Sequence, residues 1–189
     1  MVIFLIGISC VGKSTIGASL AKRLGSVFYD FDIEIEQFYG KPTGALKAQW
    51  LTNSHFRRKA AVVLKKILQE NGNGHAVVAL PPSGLRAPYY KLIKAIDGVV
   101  LWIRDSPENI LERITFYDQD SRLIEKRLTD KEKKAYLKEI QKDMAYFRRF
   151  HCKADYPIDI DGMDVEQSSE KIEEFLKKIG DAGREKRGT

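Results

Sequence analysis

The chain has 189 residues, of which 43% are hydrophobic and 31% are charged, with a net charge of +6. Such a chain can bury one good core, whereas two domains would leave too little core for each. No segment approaches the roughly 20 apolar residues that span a bilayer, and the apolar start lacks the basic leader of a signal peptide. We expect a cytoplasmic protein with one domain over residues 1–180, a flexible polar tail over 181–189, and no membrane partner.

The chain opens with an apolar run over residues 2–6, followed by the glycine-rich segment GISCVGKST over residues 7–15. An uninterrupted apolar run is typical of a strand buried on both faces of a parallel sheet. The segment after it fits the pattern G-x-x-x-x-G-K-[ST] completely, and apolar spacing over Lys13 to Arg23 predicts a helix. Inward-facing N–H groups and a helix N-terminus both favour anionic oxygen. The order of strand, loop and helix predicts a site for the triphosphate of ATP.

We expect the loop residues to divide the binding of the nucleotide. Lys13 bridges the terminal phosphates, the Ser14 hydroxyl ligates Mg²⁺, and Thr15 assists from the start of the helix. A thiol at this helix N-terminus suggests a redox sensor, although a small residue that only fills space is the simpler interpretation. The expected nucleotide-binding set is Gly7, Ser9, Cys10, Val11, Gly12, Lys13, Ser14 and Thr15.

The rest of the chain alternates between strand and helix patterns. Short, mostly apolar runs predict strands over 27–30, 76–80, 99–103 and, more weakly, 156–160. Helical periodicity lies between them, over 33–39, 53–70, 88–95, 107–115, 130–147 and 165–179. This alternation predicts an α/β protein with a parallel sheet covered on both faces.

Two carboxylates follow the second predicted strand, where the carboxyl ends of parallel strands form ligand sites. Asp30 and Asp32 are separated by one residue and point the same way if the chain is extended. Asp30 could hold Mg²⁺ through water, and Asp32 could accept the proton of an attacking hydroxyl. The alternative is that Asp32 only caps the next helix.

The third predicted strand ends in Pro81, Pro82 and Ser83 instead of a carboxylate. Motor and transporter ATPases place a magnesium-linked aspartate after an apolar strand. The absence of such an aspartate favours a small phosphotransferase.

At this point the residues resemble a known family. The order of phosphate loop, FYDFD at 28–32, EIE at 34–36, Gly40 and FRR at 56–58 is similar to that of shikimate kinases, which belong to the nucleoside-monophosphate-kinase-like group. The resemblance covers about residues 2–179 and is specific mainly over the first 60. It implies a three-layer P-loop NTPase fold whose five-stranded parallel sheet has the order 2-3-1-4-5. It also implies a mobile lid at about 116–130 and transfer of the ATP γ-phosphate to a small-molecule hydroxyl.

The resemblance also implies roles for individual residues. Asp32 matches the aspartate that binds the reacting hydroxyl, Arg57 the arginine for the substrate carboxylate, and Asp30 the acid that supports magnesium. The remaining matches are arginines: Arg113 over adenine, Arg122 from the lid onto the transferring phosphoryl group, and either Arg148 or Arg149 at the substrate. An exposed arginine without a role remains the alternative for Arg122.

The sequence departs from the family around the acceptor. Shikimate kinases have three glycines after the third strand, where Pro82 and Ser83 here would line the acceptor site. Proline has no N–H and a fixed φ, so this wall differs in shape and hydrogen bonding. An acid is also typical of the family three residues after Arg57, and this chain has Ala60. The acceptor therefore stays open between shikimate, another polyol acid, and a nucleoside or nucleotide.

Partners are limited to that small-molecule acceptor. Most of the net positive charge lies within residues 113–153, which indicates either a lid that closes over phosphates or a solvated helical face. No recognised RNA-binding pattern occurs, so we expect no nucleic acid partner, and we expect a monomer or a weak dimer. His55, His75 and His151 have no metal-ligand spacing and receive no role. A nucleotide-binding regulatory module with little transfer activity is the alternative function.

Overall fold

A five-stranded parallel sheet forms the centre of the computed structural model, which describes residues 1–71, 74–117, 123–124 and 127–185. The strands are β1 (Val2–Ile6), β2 (Val27–Asp30), β3 (Ala76–Ala79), β4 (Gly98–Arg104) and, last in the chain, β7 (Tyr156–Asp159). Their order in the sheet is β2-β3-β1-β4-β7. Counted along the main sheet, this is the predicted order 2-3-1-4-5. A short antiparallel pair, β5 (Phe116–Tyr117) and β6 (Leu123–Ile124), lies within the segment expected to be the lid.

Eight helices connect and cover these strands in the described part of the chain. They are α1 (Lys13–Arg23), α2 (Phe31–Tyr39), α3 (Thr43–Gln49), α4 (Asn53–Asn71), α5 (Tyr89–Ile93), α6 (Pro107–Glu112), α7 (Asp130–His151) and α8 (Val165–Glu185). None of these described helices is both long enough and apolar enough to cross a membrane.

The helix boundaries differ from the predicted ones for physical reasons. The sequence analysis did not predict α3. Leu46 is the one buried residue of this helix, so its sequence has almost no apolar periodicity. α7 begins at a capping box, in which the Thr129 and Glu132 side chains each bond to the other residue's backbone. α8 continues through Glu185 instead of ending at 179, and therefore enters the segment expected to be a tail.

The sheet buries both of its faces, as its apolar strands predict. Successive side chains of a strand point to opposite faces, so β1 contributes to two cores. Phe4 and Ile6 pack on the side of α2 to α5, with Phe31, Leu64 and Tyr89. Ile3 and Leu5 pack on the other side, with residues of α1, α6, α7 and α8. Helices on both faces confirm the expected three-layer α/β fold.

One expectation about the second strand is wrong. Asp30, and not Asp32, is the N-cap of α2: one Asp30 carboxylate oxygen accepts hydrogen bonds from the N–H of Asp32 at 3.1 Å and of Ile33 at 3.4 Å. The chain is therefore not extended over both aspartates, and Asp32 lies in the first turn of the helix. The alternative in which Asp32 itself caps the helix is also wrong.

Close packing of α1 on the sheet yields a stability prediction. A Cβ on Gly17 would lie 2.6 Å from the Phe28 ring and 3.2 Å from a methyl group of Leu5. We expect Gly17→Ala to lower the free energy of unfolding by about 1 to 3 kcal/mol, because the added methyl overpacks this contact. Gly44→Ala in α3 is the matched control: its Cβ would meet no atom within 4 Å. Alanine there should stabilise by up to about 1 kcal/mol through helix propensity. Urea denaturation measures the free energy of unfolding of both variants. Equal values for Gly17→Ala and Gly44→Ala would contradict the packing argument.

Candidate functional site

The loop between β1 and α1 has the backbone shape of a phosphate cradle. Gly12 precedes α1 with φ 99°, and Cys10 also adopts a left-handed conformation with φ 61°. A Cβ on Gly7 would lie 2.7 Å from the carbonyl oxygen of Ile103, so only glycine lets the loop pass this close to β4. Gly12 offers no capping side chain, so the first N–H groups of α1 have no side-chain cap and suit an anion.

Lys13 lies over this loop. Its ammonium group donates a 2.7 Å hydrogen bond to the carbonyl oxygen of Ile8. Burial lowers the pKa of Lys13 to about 8, although the carboxylates of Asp32 and Asp30 partly oppose this shift. The ammonium is thus poorly compensated in the protein alone, and a bound phosphate would supply the missing negative charge.

Asp32 faces a cleft in front of this lysine. Desolvation raises the pKa of Asp32 above its usual value, and the negative charge of Asp30 raises it further. The positive charges of Lys47 and Lys13 act in the opposite direction. A carboxylate with a raised pKa is a stronger base, which suits a group that accepts a proton from a hydroxyl.

Two open cavities meet at Asp32. One, with a volume of about 410 Å³, is lined on the phosphate-loop side by Cys10, Lys13, Ser14 and Asp30. The other, of about 440 Å³, extends toward α3, α4 and α7 and is here called the acceptor cavity. Both cavities are lined by Ser9, Asp32, Pro81 and Pro82. The further residues of the acceptor cavity are Lys47, Asn53, Phe56, Arg57, Ser83, Arg86, Asp143, Tyr146 and Phe147.

The residues of the first cavity fit a magnesium ion that is bound mainly through a nucleotide. Ser14 is exposed and Asp30 is half-buried, and both line this cavity. The described residues contain no group of three or more His, Cys, Asp or Glu side chains that could hold a metal ion without help. Mg²⁺ commonly takes only one or two protein ligands and completes its shell with phosphates and water. One hydroxyl and one nearby carboxylate match that donor set.

The structure places three predicted acceptor residues around the acceptor cavity: Arg57, Pro82 and Ser83. The Arg57 Nε donates a 3.4 Å hydrogen bond to the carbonyl oxygen of Ala87. Ala60, one turn farther along α4, is fully buried in the core, so no acid extends from this position into the cavity.

The two candidate arginines of α7 do not line the acceptor cavity. Asp143, Tyr146 and Phe147 are the α7 residues that do so. Arg148 is exposed, and the Arg149 guanidinium lies 5.1 Å from the centre of the Tyr146 ring. A helix turns about 100° per residue, which separates Arg148 from the face formed by these three residues.

Arg113 is part of a buried polar network beyond the phosphate loop. It donates a 2.6 Å hydrogen bond to Asp105 and a 3.3 Å hydrogen bond to the carbonyl oxygen of Met163. Burial opposes the ionisation of Asp105, but hydrogen bonds from Asn109 and Arg113 outweigh it and hold the pKa of this carboxyl below its usual value. Arg113, which the resemblance places over adenine, is therefore fixed beside the loop that follows β7. Arg122 lies outside the described residues.

The sequence analysis missed four residues of this region. Lys47, Arg86 and Tyr146 line the acceptor cavity, but no motif marks them. His151 is 1% exposed, and its Nε2 lies 2.9 Å from the carbonyl oxygen of Pro82. Since a carbonyl oxygen can only accept, the ring donates, and burial lowers the His151 pKa, which favours the neutral ring. The spacing of Ile140, Met144, Phe147 and His151 is the signal that could have indicated its burial.

Comparison with known proteins agrees with this architecture. The family model described as shikimate kinase matches residues 9–181. The shikimate kinase of Prochlorococcus marinus is 25% identical over 179 residues, which cover 94% of this chain and 86% of that protein. The shikimate kinase of Thiobacillus denitrificans is 31% identical over 111 residues, and this match spans only 58% of its length.

A solved structure shows the same fold. The shikimate kinase of Bacteroides thetaiotaomicron superimposes with a TM-score of 0.76 at 20% identity, covering 94% of this chain and 98% of that one. The match of the family model extends over most of the phosphate loop, the acceptor cavity and every strand of the main sheet after β1. The chain therefore belongs to the shikimate kinase family, a family of ATP-dependent small-molecule kinases.

Proposed function

We propose that this chain transfers the γ-phosphate of ATP to a hydroxyl group of a small acid, with shikimate as the first acceptor to test. The observation that carries this proposal is the position of Asp32. This residue lines both the cavity beside the phosphate loop and the acceptor cavity. A phosphoryl donor and a hydroxyl acceptor bound in these two cavities would meet at this residue.

The phosphate-loop side binds and orients the nucleotide. Lys13 exchanges its hydrogen bond with Ile8 for the terminal phosphates, and the N–H groups at the start of α1 bind the others. Ser14 and Asp30 would hold Mg²⁺, which neutralises charge between the phosphates when bound. Arg113 would lie near the adenine. Positioning and electrostatic stabilisation provide most of the catalysis in such reactions.

The acceptor side supplies the base and binds the acid. Asp32 accepts the proton that leaves the hydroxyl as its oxygen attacks phosphorus, and ADP departs. Arg57 binds the carboxylate of the acceptor, while Pro82 and Ser83 form part of the wall of the acceptor cavity.

Turnover and the role of Lys13 are tested together. Wild-type protein should release ADP in a coupled assay only when both ATP–Mg²⁺ and shikimate are present. Lys13→Ala should lower kcat/KM by about 100-fold or more, because the preorganised positive charge at the phosphates is lost. Lys22→Ala, which changes an exposed lysine of the same helix, is the matched control and should behave as wild type. A Lys13→Ala variant that keeps its activity would exclude the assignment.

The lowered pKa of Lys13 predicts a decline of activity at alkaline pH. In the free protein Lys13 loses its proton as the pH rises through about 8, and the neutral amine binds phosphate poorly. We therefore expect kcat/KM for ATP to fall above this pH. Lys13→Arg should be slower but should lack this decline, because a guanidinium stays charged. An identical alkaline limb in both proteins would assign it to another group.

Asp32 predicts the acid limb. Asp32→Asn should lower kcat by about 100- to 10,000-fold through loss of the base. Since the charge of Asp30 helps to raise the pKa of Asp32, Asp30→Asn should move the acid limb of the pH–rate profile to lower pH. Asparagine preserves the N-cap, so the variant should fold. If the acid limb of Asp30→Asn lies at the same pH as that of wild type, a group other than Asp32 is responsible for it.

A further inference from the structure

We propose that Arg86, which lies outside the motifs that carry the family resemblance, binds the carboxylate of the acceptor together with Arg57. This inference rests on the proposed function and adds a binding residue to the same site. The pair of Arg57 and Arg86 is here called the arginine clamp.

The backbone presents Arg86 at the wall of the acceptor cavity. The N–H of Gly84 donates to the carbonyl oxygen of Pro81 at 2.8 Å, and the N–H of Arg86 donates to that of Ser83 at 2.9 Å. These two successive turns lead from β3 to α5. A Cβ on Gly84 would lie 2.6 Å from that of Leu80, so the first turn packs tightly against the end of the strand. The position of Arg86 therefore follows from a compact, proline-containing loop.

The first turn of this loop is also held by α7. His151 donates to the carbonyl oxygen of Pro82 from a fully buried position. The His151 ring stacks on Phe147, which itself lines the acceptor cavity. α7 thus fixes the wall from which Arg86 extends.

The same helix orients the Arg86 side chain. Its Nη1 donates a 3.2 Å hydrogen bond to the hydroxyl oxygen of Tyr146, and the guanidinium lies 4.6 Å from the centre of the Phe150 ring. A guanidinium has five N–H donors in a rigid plane. A cation–π contact with one ring and a single hydrogen bond hold the guanidinium and leave donors for a ligand.

Arg57 lies close to the same loop. Its Nε donates to Ala87, the residue that follows Arg86. Desolvation lowers the pKa of Arg57, and the positive charge of Arg86 lowers it further. In the described part of the chain, neither guanidinium has a carboxylate within 4 Å. Two like charges that repel each other without a protein anion form a site that an anionic ligand would stabilise.

Shape and charge select the ligand. Planar guanidinium groups bind a planar carboxylate through paired hydrogen bonds. The charged residues that line the acceptor cavity are Lys47, Arg57 and Arg86, against Asp32 and Asp143. The lining of the cavity therefore has one net positive charge. A monocarboxylate would neutralise this charge, whereas a phosphate dianion would bring one negative charge too many. The acceptor cavity thus favours a monocarboxylic hydroxy acid over a nucleoside monophosphate.

The test compares Arg86→Ala with Lys91→Ala, which changes an exposed lysine of α5. Steady-state kinetics give the KM for shikimate and for ATP, and shikimate carboxamide serves as an uncharged second acceptor. Arg86→Ala should raise the KM for shikimate by about 10- to 100-fold, since it removes charge-assisted hydrogen bonds. The KM of Arg86→Ala for ATP should stay within about twofold of wild type. Its preference for shikimate over shikimate carboxamide should fall by the same factor by which its KM for shikimate rises. Lys91→Ala should match wild type.

Arg86→Lys and Tyr146→Phe provide graded variants. Lysine keeps the charge but cannot bind in the bidentate mode, so it should recover only part of the affinity. Tyr146→Phe removes the hydroxyl that orients Arg86 and should raise the shikimate KM by less than Arg86→Ala does. Thermal unfolding of each variant separates these effects from misfolding.

The outcomes distinguish the arginine clamp from the proposed function. If wild type phosphorylates shikimate and Arg86→Ala keeps both its KM and its preference for acid over amide, the clamp is wrong and the kinase assignment stands. Calorimetric titration of shikimate in the presence of ADP–Mg²⁺ measures acceptor binding without transfer. Weaker binding by Arg86→Ala in that titration supports the clamp even where transfer is absent, and unchanged binding overturns it.

Discussion

The capping of α2 by Asp30 is the interaction on which the arrangement of the site depends. By accepting hydrogen bonds from the N–H groups of Asp32 and Ile33, Asp30 ends β2 and begins the helix at once. Asp32 then projects from the first helical turn, between the two cavities. Had the strand continued for two residues, both carboxylates would lie in the sheet edge. The same bonds hold the two acids close enough for the charge of one to raise the pKa of the other.

The phosphate loop beside Asp32 depends on close backbone packing. The phosphate loop can lie against the end of β4 only because Gly7 lacks a Cβ beside the carbonyl oxygen of Ile103. Lys13, at the end of the same loop, is partly desolvated, which lowers its pKa. The site thus combines a lysine whose pKa is lowered with an aspartate whose pKa is raised. A phosphate and an acceptor hydroxyl would each interact with the group that gains most from their presence.

The acceptor side shows how one family architecture accommodates a changed wall. Pro81, Pro82 and Ser83 replace three glycines of the family, and the wall they form is held by His151 from α7. Prolines cannot donate hydrogen bonds, so polar contacts to an acceptor must come from other side chains of the cavity. Arg86, from the same loop, and Tyr146, from the same helix as His151, are placed to supply them.

The sequence by itself determined the phosphate loop, the sheet order through its family resemblance, and most helices, because these depend on local patterns. A glycine-lysine motif after an apolar run and apolar spacing at 3.6 residues are visible within short windows of the chain. Asp32, Arg57, Pro82 and Ser83, which the sequence analysis predicted as site residues, line one cavity. Only the tertiary structure decided which aspartate caps α2 and which face of α7 lines the acceptor cavity. It also showed that Lys47 and Arg86 line the same cavity. These features depend on contacts between α3, α4, the loop after β3 and α7, which are distant in sequence and carry no local signal. The side-chain directions that bring their charges together are set by packing on the shared sheet.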